Sequence, residues 1–156
     1  MITTYINDTS QTFNQLNLIM TQANYGHLIR LTHSTGASVL FTLLYIHTAR
    51  SIYYGLTHID TTSLYTTGVT LITLSMAIAF LGYVLVWGSM SYWGSTVITN
   101  LLTSIPNIQT IIQGAFVPDT PTLPRLATLH HTTPIATLTL LMSHMLILHL
   151  SSSSPP

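Results

Sequence analysis

The chain has 156 residues, of which only three are Asp or Glu and three are Arg, with no Lys. A soluble domain is about a quarter charged, whereas this chain is 4% charged and 47% hydrophobic, which predicts a membrane protein. Three arginines provide no basic surface for nucleic acid, and the absence of cysteine excludes disulfides, zinc–thiolate sites and iron–sulfur ligation by this chain.

The chain is predicted to contain three membrane-spanning helices after a polar N-terminal segment. Residues 1–26 have no charged start followed by an apolar run, so we expect neither a span nor a signal peptide there. A bilayer core of about 30 Å needs roughly 20 mostly apolar residues. Segments meeting this need run over about 35–54, 68–87 and 126–150.

The segment between the second and third spans is apolar but interrupted. Residues 97–112 contain Asn100 and Pro106, so we predict short interfacial helices rather than a fourth span. Residues 114–125 are expected to form a loop and 151–156 a polar tail. Three spans make a poor bundle alone, whereas four enclose a core with room for a cofactor. The fold prediction is therefore an all-α membrane protein that forms part of a four-helix bundle completed by another chain.

Four histidines share one spacing within the spans. His33 and His47 are 14 residues apart, as are His130 and His144. Fourteen residues make nearly four helical turns, so each pair lies on one helix face and is separated by about 21 Å along the axis. The first and third spans run in the same direction. We therefore predict that His33 faces His130 and that His47 faces His144.

Facing imidazoles of this kind are typical of haem ligation. Two histidines across a bundle core can fill both axial positions of a haem iron, which suits electron transfer. The alternative is that each histidine is a hydrogen-bonded packing residue. Gly68 and Gly82 are also 14 residues apart. Bare backbone there admits either a macrocycle edge or a close helix neighbour, and the spacing does not choose between them.

All three arginines lie near these histidines. Arg30, Arg50 and Arg125 are three, three and five residues from the nearest of the four. Haem propionates are anionic, and guanidinium groups at the membrane edge would pair with them. The alternative is ordinary snorkelling of arginine at helix ends. We expect at least two to bind propionates, with Arg30 and Arg50 favoured.

Several stretches resemble mitochondrial cytochrome b. Residues 82–101 provide the most specific match, reading GYVLVWGSMSYWGSTVITNL. Further similar stretches are 24–26, 30–38, 45–50, 53–55, 104–106 and 121–130. The resemblance implies a subunit of ubiquinol–cytochrome c oxidoreductase, complex III, in the mitochondrial inner membrane, with residues 27–150 as its haem-binding transmembrane part.

The resemblance also implies which residues hold two haem b groups. His33 and His130 would bind the low-potential haem near the intermembrane side. His47 and His144 would bind the high-potential haem near the matrix side. Other residues expected to contact these cofactors are Gly68, Gly82, Arg30, Arg50, Ser38 and Arg125.

The quinone sites and partners follow from the same resemblance. Gly94 and Trp93 would line the ubiquinol-oxidation site, whereas His149 and Ser153 would lie at the quinone-reduction site. Electrons from ubiquinol would cross both haems to quinone on the opposite face and contribute to the proton gradient. The implied partners are the Rieske iron–sulfur protein, cytochrome c1, other complex III subunits and membrane lipids, in a dimeric complex. The isolated chain is not expected to be active.

The chain also departs from the family pattern. The family's first helix and last four helices, with the Pro-Glu-Trp-Tyr motif, have no counterpart here. We expect other cytochrome b fragments to supply them; a partial chain and a degenerate copy are the alternatives. Val86 replaces a family proline, the loop 107–114 looks about four residues short, and Pro134 matches a family proline that would kink the third span. Three histidines have no family role: His27, His58 and His131.

Three other functions remain as alternatives. A haem-free structural or assembly subunit derived from cytochrome b predicts disrupted ligands. A dihaem anchor of another oxidoreductase would keep the histidine pairs. A histidine-rich metal transporter predicts close clusters that include acids, and the three spans contain no Asp or Glu.

Overall fold

A computed structural model describes residues 5–55 and 62–150, and every regular element within these ranges is helical. The all-α prediction is therefore confirmed. A single 3-10 turn occupies Leu102–Ser104. The helices in chain order are α1 Thr12–Gln22, α2 Gly26–Tyr53, α3 Thr62–Val84, α4 Ser89–Leu101, α5 Ile108–Gln113 and α6 Thr122–Leu150.

Helices α3 and α6 form the principal helix pair and run antiparallel. Both are long and apolar enough to cross a bilayer, with mean hydropathies of 1.8 and 1.5 over their most apolar stretches. Only 6% and 0% of those stretches are buried within the chain. The core helix of a soluble protein would be mostly buried, so this exposure favours contact with lipid or other membrane helices.

The first predicted span lies within α2, which differs from α3 and α6. Its 28 residues are long enough to cross a membrane. Within the described ranges, however, only α3 and α6 have the apolar composition of a span. Helix α2 packs against α1, and it makes far fewer backbone contacts with α3 and α6 than these two helices make with each other. Membrane crossing by α2 stays a prediction.

The N-terminal segment contains a helix that we did not predict. Apolar residues of α1 recur at 13, 16, 19 and 20, which is the spacing of one helical face. The segment is tied to the rest of the chain at three places. The Tyr5 hydroxyl donates to the Leu85 carbonyl at 2.6 Å, and burial raises the Tyr5 pKa to about 12. The Thr9 hydroxyl lies 2.9 Å from that of Thr120, and Arg30 donates to the Met20 sulfur.

The connection between α3 and α6 begins earlier than expected. Helix α3 ends at Val84, three residues before the predicted end of the second span. Trp87 then takes a left-handed backbone with φ 53°, and α4 starts at Ser89, ahead of the interfacial segment predicted from residue 97. The predicted loop 114–125 is shorter, because α6 starts at Thr122. Helix α6 continues through Pro134.

The buried core lies at one end of the α3–α6 pair. It consists of Val84, Leu85, Leu123, Leu126 and Ala127. The opposite end of the pair has no comparable cluster among the described residues. The helix pair is therefore anchored at the end where α4 and α5 also pack.

A buried polar chain joins α4, α5 and α6. The Gln113 side chain is fully buried and donates from Nε2 to the Thr99 hydroxyl. The Thr122 hydroxyl donates to the Gln113 carbonyl at 2.8 Å. Because buried polar groups are costly without partners, these bonds hold α5 in place despite its six-residue length.

We expect Gly26→Ala to destabilise the junction of α1 and α2. A Cβ at this position would lie 1.9 Å from the Ile19 carbonyl oxygen, so backbone must move, at a cost of about 1–3 kcal/mol. The thermal unfolding midpoint of the purified membrane complex measures this. Gly36→Ala is the matched control, because a Cβ there meets nothing within 4 Å. Equal unfolding midpoints for Gly26→Ala and Gly36→Ala would contradict the close approach of Gly26 to the Ile19 carbonyl.

Candidate functional site

Two histidines of α6 insert against two glycines of α3. A Cβ on Gly82 would lie 2.5 Å from Cε1 of His130, and a Cβ on Gly68 would lie 3.3 Å from Cε1 of His144. The 14-residue spacing of the two glycines on α3 therefore matches that of the two histidines on α6. The order of the contacts is reversed because the helices run in opposite directions. The room that the glycines leave is taken by imidazole rings, so both glycines act in helix packing and in ring placement.

The ring of His130 is held by the backbone of α3. Its Nδ1 lies 2.9 Å from the carbonyl oxygen of Ile78, one helical turn before Gly82. A carbonyl only accepts, so Nδ1 is the protonated nitrogen, and Nε2 keeps its lone pair. This arrangement is the one that metal-ligating histidines use, since the second nitrogen donates to a carbonyl, carboxylate or water.

The ring of His144 is held by a side chain instead. Its Nδ1 lies 2.8 Å from the hydroxyl oxygen of Thr67. That hydroxyl is 3.0 Å from the Ser63 carbonyl and 2.9 Å from the Leu64 carbonyl. Since its proton goes to these carbonyls, the hydroxyl accepts from Nδ1, and Nε2 of His144 also keeps its lone pair.

The structure brings the α2 histidines to the α6 histidines in the predicted order. The ring centres of His33 and His130 are 6.3 Å apart, and their planes meet at 86°. His47 lies near enough to His144 for the two rings to interact electrostatically. His33 and His47 are exposed on the α2 face. The rings thus meet where α2 and α6 make few backbone contacts.

The geometry of the His33–His130 pair fits a single metal ion between the rings. Two imidazoles that bind one ion from opposite sides at about 2 Å each have ring centres roughly 6 Å apart. Edge-to-face ring contacts span the same range, but in this pair Nδ1 of His130 is engaged with α3, which leaves Nε2 to act as a ligand. Within residues 5–55 and 62–150 there is no group of three or more His, Cys, Asp or Glu side chains able to hold a bare metal ion. Two ligands per ion suit a haem, whose macrocycle supplies the others.

The three arginines have different surroundings. Arg125 donates to the carbonyls of Thr110 and Ile111 at 2.9 and 2.5 Å, and so caps the end of α5. Arg30 is half-buried and contacts α1 through its guanidinium group. Arg50 lies exposed in the last turn of α2. If Arg125 bound a propionate, it would have to do so with a guanidinium group that already donates to the carbonyls at the end of α5.

The remaining predicted site residues lie on the surface of the chain. The Ser38 hydroxyl donates to the Ser34 carbonyl at 3.2 Å. Trp93 is 62% exposed, and a Cβ on Gly94 would meet nothing within 4 Å. His149 is exposed near the end of α6.

Two predicted positions, Ser153 and His58, lie outside the described residues. Of the other unassigned histidines, His27 is exposed. The ring centre of His131 lies 5.7 Å from that of His130.

The sequence analysis missed Thr67 and the Ile78 carbonyl. Threonine hydroxyls elsewhere on α3 bond to carbonyls of their own helix, so residue type alone did not single out Thr67. A carbonyl partner has no sequence signal at all. The sequence contained one indication, which is that Thr67 directly precedes Gly68. A residue next to a glycine that makes room for a ring is placed to contact that ring.

The sequence and the fold both have known relatives. The profile of the family described as Cytochrome b/b6/petB matches residues 1–152. Two curated relatives named cytochrome b, from Rickettsia bellii (strain RML369-C) and Rickettsia conorii (strain ATCC VR-613 / Malish 7), are each 44% identical over 148 residues. These alignments cover 92% of this chain but only 37% of each relative.

A solved structure titled "Hyperthermophilic respiratory Complex III" matches with a TM-score of 0.89 and 26% identity. The match covers 99% of this chain and 43% of that one. The chain therefore spans less than half the length of the relatives that it matches.

We expect Gly82→Ala to displace the His130 ring from the Ile78 carbonyl. Cβ would stand 2.5 Å from the ring, closer than real contacts allow, and such overpacking costs about 1–3 kcal/mol. Gly68→Ala should cost less, because its closest ring atom is 3.3 Å away. Thermal unfolding of the two variants in the purified complex measures the difference. A larger loss for Gly68→Ala would contradict this geometry.

Proposed function

Because the chain belongs to the cytochrome b family, we propose that it is the part of a complex III cytochrome b that carries electrons between two haems. The observation that supports this most is the pairing of α2 and α6 histidines. At both levels the α6 ring is bound to α3 through Nδ1, which leaves Nε2 available for iron.

Four side chains would hold the two irons. His33 and His130 would hold one haem, and His47 and His144 would hold the other. When bound, haem supplies a reversible one-electron ferric–ferrous couple. With two imidazoles on each iron, the haems would be suited to electron transfer and not to binding oxygen or substrate. The ligand pairs are 14 residues apart, or about 21 Å along the helices, so the chain would conduct electrons between the two sides of a membrane.

The surrounding residues would position the haems. Nδ1 bonds to the Ile78 carbonyl and the Thr67 hydroxyl fix the α6 ring planes. Gly68 and Gly82 allow those rings to lie close to α3. Arg50, which is exposed at the end of α2, is the best placed of the three arginines to pair with a propionate. Arg30 lies half-buried 20 residues earlier in α2, about five and a half helical turns away, and is the second candidate.

The direction of electron flow and the quinone sites form the finer part of the proposal. Ubiquinol would be oxidised beside Gly94 and Trp93 on the intermembrane side, and the His33–His130 haem would have the lower potential. Quinone would be reduced beside His149 and Ser153 on the matrix side of the mitochondrial inner membrane. Supporting this, Trp93 and Gly94 lie on an open face of α4, where a quinone ring has room.

The proposal includes partner chains. The curated relatives are far longer than the matched region, and the long apolar helices are almost wholly exposed. We propose that further cytochrome b helices complete the bundle around α2, α3 and α6, either as separate chains or as more of the same polypeptide. The Rieske protein and cytochrome c1 would be partner chains, in a dimeric complex.

The proposal is tested by a reduced-minus-oxidised difference spectrum of the purified complex that contains this chain. We expect two b-type haems. Complete absence of b-type haem would replace the proposal with a haem-free structural subunit.

We expect His47→Leu to remove one of the two b-type haems and to leave the other spectrally intact, because each iron depends on its own pair. The same difference spectrum, with redox titration, measures which haem is lost. His27→Leu is the matched control, since His27 is exposed and outside both pairs, and should retain both haems. Retention of both in His47→Leu would contradict the pairing.

A further inference from the structure

Helix α3 presents two similar sites to α6. In each, a glycine faces a histidine ring, and the carbonyl four residues earlier lies against that ring. The first site has the Leu64 carbonyl, Gly68 and His144. The second has the Ile78 carbonyl and Gly82 with the other α6 histidine.

The two sites differ in the residue directly before the glycine. Thr67 occupies that place in the first site, and Leu81 occupies it in the second. Where leucine precedes the glycine, Nδ1 of His130 bonds to the Ile78 carbonyl at 2.9 Å. Where threonine precedes it, Nδ1 of the histidine bonds to the Thr67 hydroxyl at 2.8 Å. The two histidines therefore have different hydrogen-bond acceptors.

The Thr67 hydroxyl also interacts with the Leu64 carbonyl, the backbone group that would otherwise accept from Nδ1 of His144. It lies 2.9 Å from the Leu64 carbonyl oxygen and donates its proton there or to Ser63. The Leu64 carbonyl also lies within hydrogen-bond range of the His144 ring, so the Thr67 hydroxyl competes with it for Nδ1. Without this hydroxyl, the Leu64 carbonyl would accept from Nδ1 of His144, as the Ile78 carbonyl accepts from Nδ1 of His130.

We propose that Thr67 is a positioning residue that diverts Nδ1 of His144 from a backbone carbonyl to a weaker acceptor and thereby raises the reduction potential of the haem bound by His47 and His144. This inference rests on the proposed function. A hydrogen bond from Nδ1 makes a ligating imidazole more basic and tunes the metal. An amide carbonyl carries more negative charge than a hydroxyl oxygen, so it makes the imidazole a stronger donor and stabilises ferric iron more. The hydroxyl at one site and the carbonyl at the other make the two potentials unequal within one chain.

The experiment is redox titration of both b-type haems in the purified complex with Thr67→Val. Valine keeps the shape of threonine but has no hydroxyl, so the ring should turn to the Leu64 carbonyl. We expect the midpoint potential of the His47–His144 haem to fall while that of the other haem stays unchanged. The low-spin ferric electron paramagnetic resonance signal of the same haem should shift, because the plane of its ligand has turned.

Two variants separate this effect from general damage to α3. Thr67→Ser retains a hydroxyl and should restore the original potential. Thr70→Val removes an exposed hydroxyl one turn away that bonds to the Thr66 carbonyl at 2.9 Å, and it should change neither potential.

The outcomes separate the inference from the proposed function. An unchanged or raised potential in Thr67→Val, or equal shifts of both haems, would overturn the role of Thr67 while the haems themselves remain. Failure of the unaltered complex to show two b-type haems would overturn the proposed function instead.

Discussion

The insertion of two imidazole rings of α6 into glycine gaps of α3 is the contact on which the rest of the structure depends. It sets the register of the one long helix pair, because each ring fits only opposite a residue without a Cβ. It also uses the Nδ1 atoms of both rings. Packing and ligand orientation are therefore the same interaction. A chain with so few buried residues has this contact and the small core at one end to hold α3 and α6 together.

The scarcity of charge limits what each charged residue can do. Arg125 is bound to the end of α5, and Arg30 links α2 to α1. Asp119 accepts from the amide of Thr120 at 2.7 Å in the turn before α6. These contacts stabilise the connections outside the apolar helices. The flanking positions of the arginines thus have a structural cause in two of three cases, in addition to any role toward propionates.

Helix α2 stands apart from the α3–α6 pair in a way that matches the proposed function. Side chains such as His33 and His130 approach one another where the helix backbones make few contacts. A flat group coordinated between these rings would fill that space and add contacts between the helices. Assembly of this part of the protein would then be coupled to haem binding, since ligand binding stabilises the state that binds it.

The sequence by itself determined the class of protein, the positions of the long helices and the four paired histidines. The class follows from the low charge and high apolar content, and the long helices follow from runs of about 20 mostly apolar residues. The 14-residue spacing of the histidines is visible along one helix without a partner. Only the tertiary structure decided which atoms meet. Glycines at 68 and 82 admitted two explanations until the rings of α6 were seen against them. The hydroxyl of Thr67 and the carbonyl of Ile78 acquired their roles from a helix more than 50 residues away in sequence. The segment before α1, too, is held by a distant bond, that of Tyr5 to Leu85. Contacts between helices depend on their relative rotation and depth, and no local pattern specifies these.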